Sequence, residues 1–135
     1  MPNGGTHIIA GAVCGALAST VIQKKLEPDK TIEFDQLLLS TGTGGLCGRV
    51  PDVLEPASNP NHRDFFHSFT CAAILGFGGA ELWSNIKERK TQRMQLGIQE
   101  ISGAEILLML GLVAVLAILL HLFMDGFTQK GLPII

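Results

Sequence analysis

The residue pair with the most explicit chemistry is His121 and Asp125, four apart near the end of an otherwise uncharged apolar run that begins at Ile106. Residues at that spacing share one helix face with Cβ atoms roughly 5–6 Å apart, so an imidazole and a carboxylate can grip one ion. An ionisable pair inside so apolar a segment usually marks function; the alternative is a histidine hydrogen-bonded to Asp125 at a polar bundle end. A second group is His62-Arg63-Asp64-Phe65-Phe66-His67-Ser68. Histidines five apart do not share a helix face well, which places His62 in a loop or first turn and His67 on an inward face. Asp64 suits a helix start, where the dipole favours a carboxylate. Arg63 either presents its planar fork to a phosphate or forms a surface salt bridge. The third group, Arg49-Val50-Pro51-Asp52-Val53-Leu54-Glu55-Pro56, holds Asp52 and Glu55 between two stiffening prolines. His7, preceded by Thr6, is a lone histidine at a helix start, and only convergence with the others recommends it.

Whether these groups meet depends on the elements that carry them. Four apolar segments stand out. The first runs from about Thr6 to Ile22 and closes on Gln23-Lys24-Lys25, with lysines that complement a helix C-terminus. The second begins near Thr31 and passes through Leu37-Leu38-Leu39 into the glycine-rich Gly42 to Gly48, which permits close backbone packing. Pro51 to Asn61 reads as largely loop. A third helix starts around Asp64, runs through Trp83 and ends in Lys87-Glu88-Arg89-Lys90. The fourth begins at Ser102, which with Glu105 matches a capping box, and Gly126 and Pro133 supply its stop signals. Strand alternation is absent.

Short connections make consecutive helices antiparallel neighbours. The expected fold is therefore an all-α, antiparallel up-and-down bundle of about four helices, a single domain over residues 1–135. In that arrangement His7, Asp52 with Glu55, His62 with His67, and His121 with Asp125 all arrive at one end. The other end receives the stretches from Lys24 to Asp35 and Lys87 to Glu100, which hold charges but no histidine.

Mixed imidazole and carboxylate donors point to Zn²⁺, with Mn²⁺ or Fe²⁺ as alternatives. The candidate metal ligands are His7, Asp52, His62, His67, His121 and Asp125; Asp52 or Glu55 is the candidate base and Arg63 the candidate phosphate-facing residue. Six ligands exceed one tetrahedral set, so two ions sharing a carboxylate and a water also fit. Cys14, Cys47 and Cys71 are widely spaced in apolar or glycine-rich stretches and are expected to be buried and reduced, not ligating.

Composition favours a membrane setting over a soluble bundle of buried helices. The chain is 47% hydrophobic and 16% charged, with 16 Gly and no Tyr, against roughly 25% charged residues in soluble domains. Only the fourth segment approaches the about 20 apolar residues of a spanning helix by itself. No Lys or Arg precedes the first apolar run, against a cleaved secretory leader. A net charge of −2 gives no overall field for nucleic acid.

Together, Pro51-Asp52, His62-Arg63 with His67-Ser68, and His121-Leu122 with Asp125, Thr128 and Gly131-Leu132-Pro133 resemble the LexA-regulated, membrane-bound metal-dependent hydrolases of bacteria. That family is distantly similar to zinc-dependent phospholipase C and P1 nuclease. The resemblance covers nearly the whole chain; Asp64 departs from the small residue common after His-Arg in the family. It implies a helical protein of the bacterial inner (cytoplasmic) membrane with a phosphoesterase-like metal site. Its partners would be the lipid bilayer and a phosphoester, either a lipid headgroup or a nucleotide. Two rivals remain: a non-enzymatic membrane protein with a structural ion, and a homo-oligomeric effector assembled through Gly42 to Gly48 and Gly76 to Gly79. Lys24, Lys25, Lys30, Lys87, Arg89, Lys90 and Arg93 lie at the histidine-free end, against Arg49, Arg63 and Lys130 at the other. By the positive-inside tendency the metal-site end faces away from the cytoplasm.

Overall fold

A computed structural model describes residues 4–56 and 68–127. Among these residues lie five helices and no strand: α1 (Gly4–Leu26), α2 (Phe34–Cys47), the short α3 (Val50–Leu54), α4 (Phe69–Gln95) and α5 (Gly103–Gly126). The four long helices alternate in direction, as the short connections dictate. The start of α1 meets the end of α5, while Glu27, just beyond α1, meets Arg93 near the end of α4. The central helix is α5, which packs on α1, α2 and α4.

The buried faces are narrow and periodic. In α1 the row His7, Gly11, Gly15, Ser19, Ile22, Leu26 is buried; in α5 it is Glu105, Met109, Val113, Ala117, His121, Asp125. Steps of three and four residues keep each row on one helix face. Outside, large apolar side chains such as Ile9, Leu17, Phe77, Leu107 and Phe123 are exposed. An apolar core around Ile22, Ile86 and Val113 is thus joined by many small and polar buried residues, with large apolar ones outside, a pattern that suits helices packed in lipid, where close backbone approach is rewarded.

Glycine makes that approach at the α1–α2 crossing. A Cβ on Gly11 or Gly44 would run into the other helix's carbonyl oxygen, and one on Gly48 would lie 2.6 Å from the His7 oxygen. These glycines are thus spent on packing within the chain, and Gly79 lies against the Val115 side chain, whereas Gly42, Gly76 and Gly78 face open space.

The structure revises several boundaries. α1 continues through Gln23-Lys24-Lys25 to Leu26, and at 23 residues it joins the 24-residue α5 as a helix long and apolar enough to cross a membrane. At about 1.5 Å per residue both exceed the roughly 30 Å hydrocarbon core. The stretch expected as loop after Pro51 includes α3, because Pro51 sits in its first turn, where a missing N–H costs nothing. α4 starts at Phe69 behind Ser68, whose hydroxyl accepts from the Cys71 N–H at 3.1 Å, and runs on to Gln95. The proposed helix start at Asp64 lies outside the described residues. Ser102 caps α5 by accepting from the Glu105 N–H at 3.2 Å; the Glu105 carboxylate turns to Arg93 at 3.2 Å. His121 and Asp125 lie within α5 and do not interrupt it. All three cysteines are free, but only Cys71 is fully buried.

Candidate metal centre

Four of the six expected ligands come together at the end of the two buried rows. His7 is contributed by the second turn of α1, Asp52 by α3, and His121 with Asp125 by the last turns of α5. One donor atom from each lies within 4.8 Å of every other. The His121 Nε2 is 3.3 Å from Asp125 Oδ2 and 3.6 Å from Asp52 Oδ1. The His7 Nε2 is 3.7 Å from Asp125 Oδ1 and 3.9 Å from Asp52 Oδ2. The two imidazoles stack with centroids 3.8 Å apart and planes inclined by 30°, so both Nε2 atoms address the same two carboxylates.

The donor set fits an ion. The four N···O separations exceed the usual N–H···O length of about 2.7–3.2 Å. They bracket the about 3.4 Å that separates two donors held about 2.1 Å from a tetrahedral centre. His121 Nδ1 lies 2.7 Å from the Gly48 carbonyl oxygen. A carbonyl only accepts, so Nδ1 carries a proton and Nε2 is the ring atom turned to the cluster. An outer hydrogen bond of this kind is how metal-binding histidines are oriented. Burial is graded: the side chains of His7, His121 and Asp125 are each 1% exposed, and that of Asp52 is 24% exposed. Asp52 therefore marks the open side.

The remaining candidates are placed differently. Glu55 ends α3, its N–H donating to the Pro51 oxygen at 2.9 Å, and is not a member of the four-residue group. His62, Arg63 and His67 lie outside the described residues. Sequence reasoning missed the Gly48 carbonyl, because a backbone acceptor 73 residues from its partner leaves no side-chain signature.

A family model described as YdjM inner membrane protein matches residues 1–135. The chain belongs to the YdjM inner membrane protein family. No curated protein and no solved structure matches it. YdjM membership and the two apolar helices of spanning length place the protein in the inner membrane, in contact with the bilayer, as expected. The YdjM description says nothing of hydrolysis, of LexA control or of a likeness to P1 nuclease.

Proposed function

We propose that this inner-membrane protein is a metal-dependent hydrolase that adds water across a phosphoester. The observation that carries the reading is the buried His7–His121–Asp125 trio with Asp52 at its exposed edge. Among the described residues three donors are buried and the fourth, Asp52, stands at the exposed edge, which suits a catalytic zinc site of three protein ligands with Asp52 beside the ion more than a closed structural site of four. His7, His121 and Asp125 would hold the ion, Zn²⁺ in the first place and Mn²⁺ or Fe²⁺ as alternatives for a mixed nitrogen and oxygen set. A bound divalent ion would supply Lewis acidity and lower the pKa of a water toward neutrality. Asp52 is the base: one of its Oδ atoms accepts a proton as the water oxygen bonds to phosphorus. The P–O bond to the alcohol breaks, and the departing alkoxide takes up the proton from Asp52, which returns to the carboxylate.

The test is metal analysis of purified protein, with turnover of a soluble phosphodiester before and after chelation. Asp52→Asn is expected to lower kcat by about 10²–10⁴-fold, the usual contribution of a positioned acid or base, with metal content and helicity retained. Metal-free protein that is inert after zinc addition would sink the reading.

One observation favours a second reading, a structural ion without catalysis: the four donors come from three elements, so an ion there ties α1, α3 and α5 together. On that reading Asp52→Asn changes thermal stability and leaves no activity to lose.

The positive-inside count orients the site away from the cytoplasm. With the three native cysteines replaced, Phe127→Cys, exposed at the end of α5, is expected to react with an impermeant maleimide in intact spheroplasts. Protection there with reactivity after lysis reverses the orientation.

A further inference from the structure

Beside the cluster, α1, α2 and α3 enclose an apolar groove of about 640 Å³. Its floor is made of small residues, Ala12, Gly42 and Gly45, and its walls of Ile8, Leu46 and Val53. Among the described residues Arg49 is the one charged residue lining it. The volume falls within the about 300–1,000 Å³ of ligand-binding pockets. Each helix brings groove and cluster together through neighbouring residues. Ile8 follows His7, Val53 follows Asp52, and Arg49 follows Gly48, whose carbonyl orients His121. Arg49 reaches back over Gly4, one turn before His7: a Cβ on Gly4 would lie 3.3 Å from its Nε. Among the described residues no carboxylate pairs with this guanidinium, and it is exposed.

We infer that this groove seats the acyl chain of a lipid phosphoester, with Arg49 on the phosphate, so that the ester is presented to the metal cluster. The inference rests on the hydrolase reading for the ester's fate, but its binding claim stands on the groove alone. Three observations select this occupant over a nucleotide. The groove is apolar along its length, and a sugar and base would leave their polar atoms unpaired there. Leu46 and Val53 are 78% and 64% exposed in a protein of the inner membrane, which suits contact with a lipid chain. Arg49, the one cation among the described lining residues, sits at the cluster end beside Gly48, and its planar guanidinium suits bidentate phosphate contact.

Binding of lysophosphatidic acid to the whole protein in a mild neutral detergent, followed by native mass spectrometry, tests this. Gly42→Leu adds bulk to the groove from a position where nothing lies within 4 Å of the added Cβ; Arg49→Gln removes the charge and keeps much of the length. Each variant is expected to weaken binding at least tenfold while circular dichroism stays that of the parent. Monoacylglycerol of the same chain length is expected to bind at least tenfold more weakly than the phosphate. Binding within threefold of the parent in both variants would overturn the inference. So would equal affinity for the neutral lipid, affinity for inorganic phosphate equal to that for the lysolipid, or a dimer whose interface covers the groove and excludes lipid. Failure of the hydrolase reading shows separately, as metal-free protein inert on a soluble phosphodiester, with the binding contrast between variants unaffected.

Discussion

His121→Ala is expected to abolish both metal retention and phosphodiester turnover, the largest effect of any single change at the site. Losing an outer-shell partner of a metal ligand typically costs 10–100-fold in affinity; removing the ligand itself should reach on the order of a hundredfold or more, read by competition with a chromogenic chelator. The loss extends beyond one donor. His121 stacks on His7 and faces Asp52 and Asp125 across 3.6 and 3.3 Å, and its ring is anchored to α2 through the Gly48 carbonyl. Without it Asp125 is buried with one fewer cationic or metal-bound neighbour, a situation that costs about 3–5 kcal/mol where a buried charge loses its partner. A melting temperature below that of the zinc-loaded wild type, and no dependence of it on added zinc, are the joint signature. Wild-type zinc affinity in the variant would remove His121 from the site.

Arg93→Met is expected to produce the second-largest effect, on stability at the opposite end. Arg93 is 6% exposed and joins three elements: it lies 2.5 Å from the Glu27 carboxylate just beyond α1 and 3.2 Å from that of Glu105 in the first turn of α5. It also donates to the Gln99 oxygen at 3.1 Å in the turn between α4 and α5. Lys90 reinforces the junction by donating to the Leu26 oxygen, and Lys30 donates to the Gln99 oxygen. Removing one partner of such a buried network costs about 3–5 kcal/mol, and the 16% exposure of the Glu27 side chain puts this case near 3. Denaturant titration in micelles measures it. Adding Glu27→Gln and Glu105→Gln to Arg93→Met should recover part of the loss, since replacing every charged partner is far less costly than orphaning one. A cost below about 1 kcal/mol, the range of exposed ion pairs, would reduce this junction to a surface contact.

The same junction carries a pH dependence. The Arg93 hydrogen bond holds the Glu27 carboxyl below the usual carboxylate range, aided by Lys30 and Lys90 and opposed by burial. A carboxyl depressed in the folded state contributes its full stabilisation above the unfolded value, about 4.3 for Glu. The contribution is lost as pH falls through the folded value. Arg93 is raised, mainly by its hydrogen bond to Glu27; its contribution is present below its unfolded value and so is constant over any pH the protein survives. Stability should therefore fall on acidification below about pH 4.3, and Arg93→Met should flatten that slope.

Much of the design was legible along the chain. The four-residue spacing of His121 and Asp125 predicted one face of one helix, and they share it. Ser102 three residues before Glu105 marked the start of α5, although only the hydroxyl half of the capping box forms, because Arg93 holds the Glu105 carboxylate. Short connections implied alternating helix directions, and that parity brought His7 to His121. These features depend on local spacing and chain direction, which the order of residues specifies.

The three-dimensional packing decided the rest. Asp52 reaches the cluster because Pro51 begins a helix where proline suggested a stop, and α3 turns that residue toward His7 and His121. The glycines from Gly42 to Gly48 announced close packing without naming its partner; only the crossing of α1 and α2 pairs Gly44 with Gly11 and makes the contact that places the Gly48 carbonyl under His121 Nδ1. Arg49 entered the sequence reading as one charge in a count, and the groove gives it a position. In each case the deciding partner lies on another element, and the distance between elements depends on how their surfaces interlock, which neither periodicity nor residue type encodes locally.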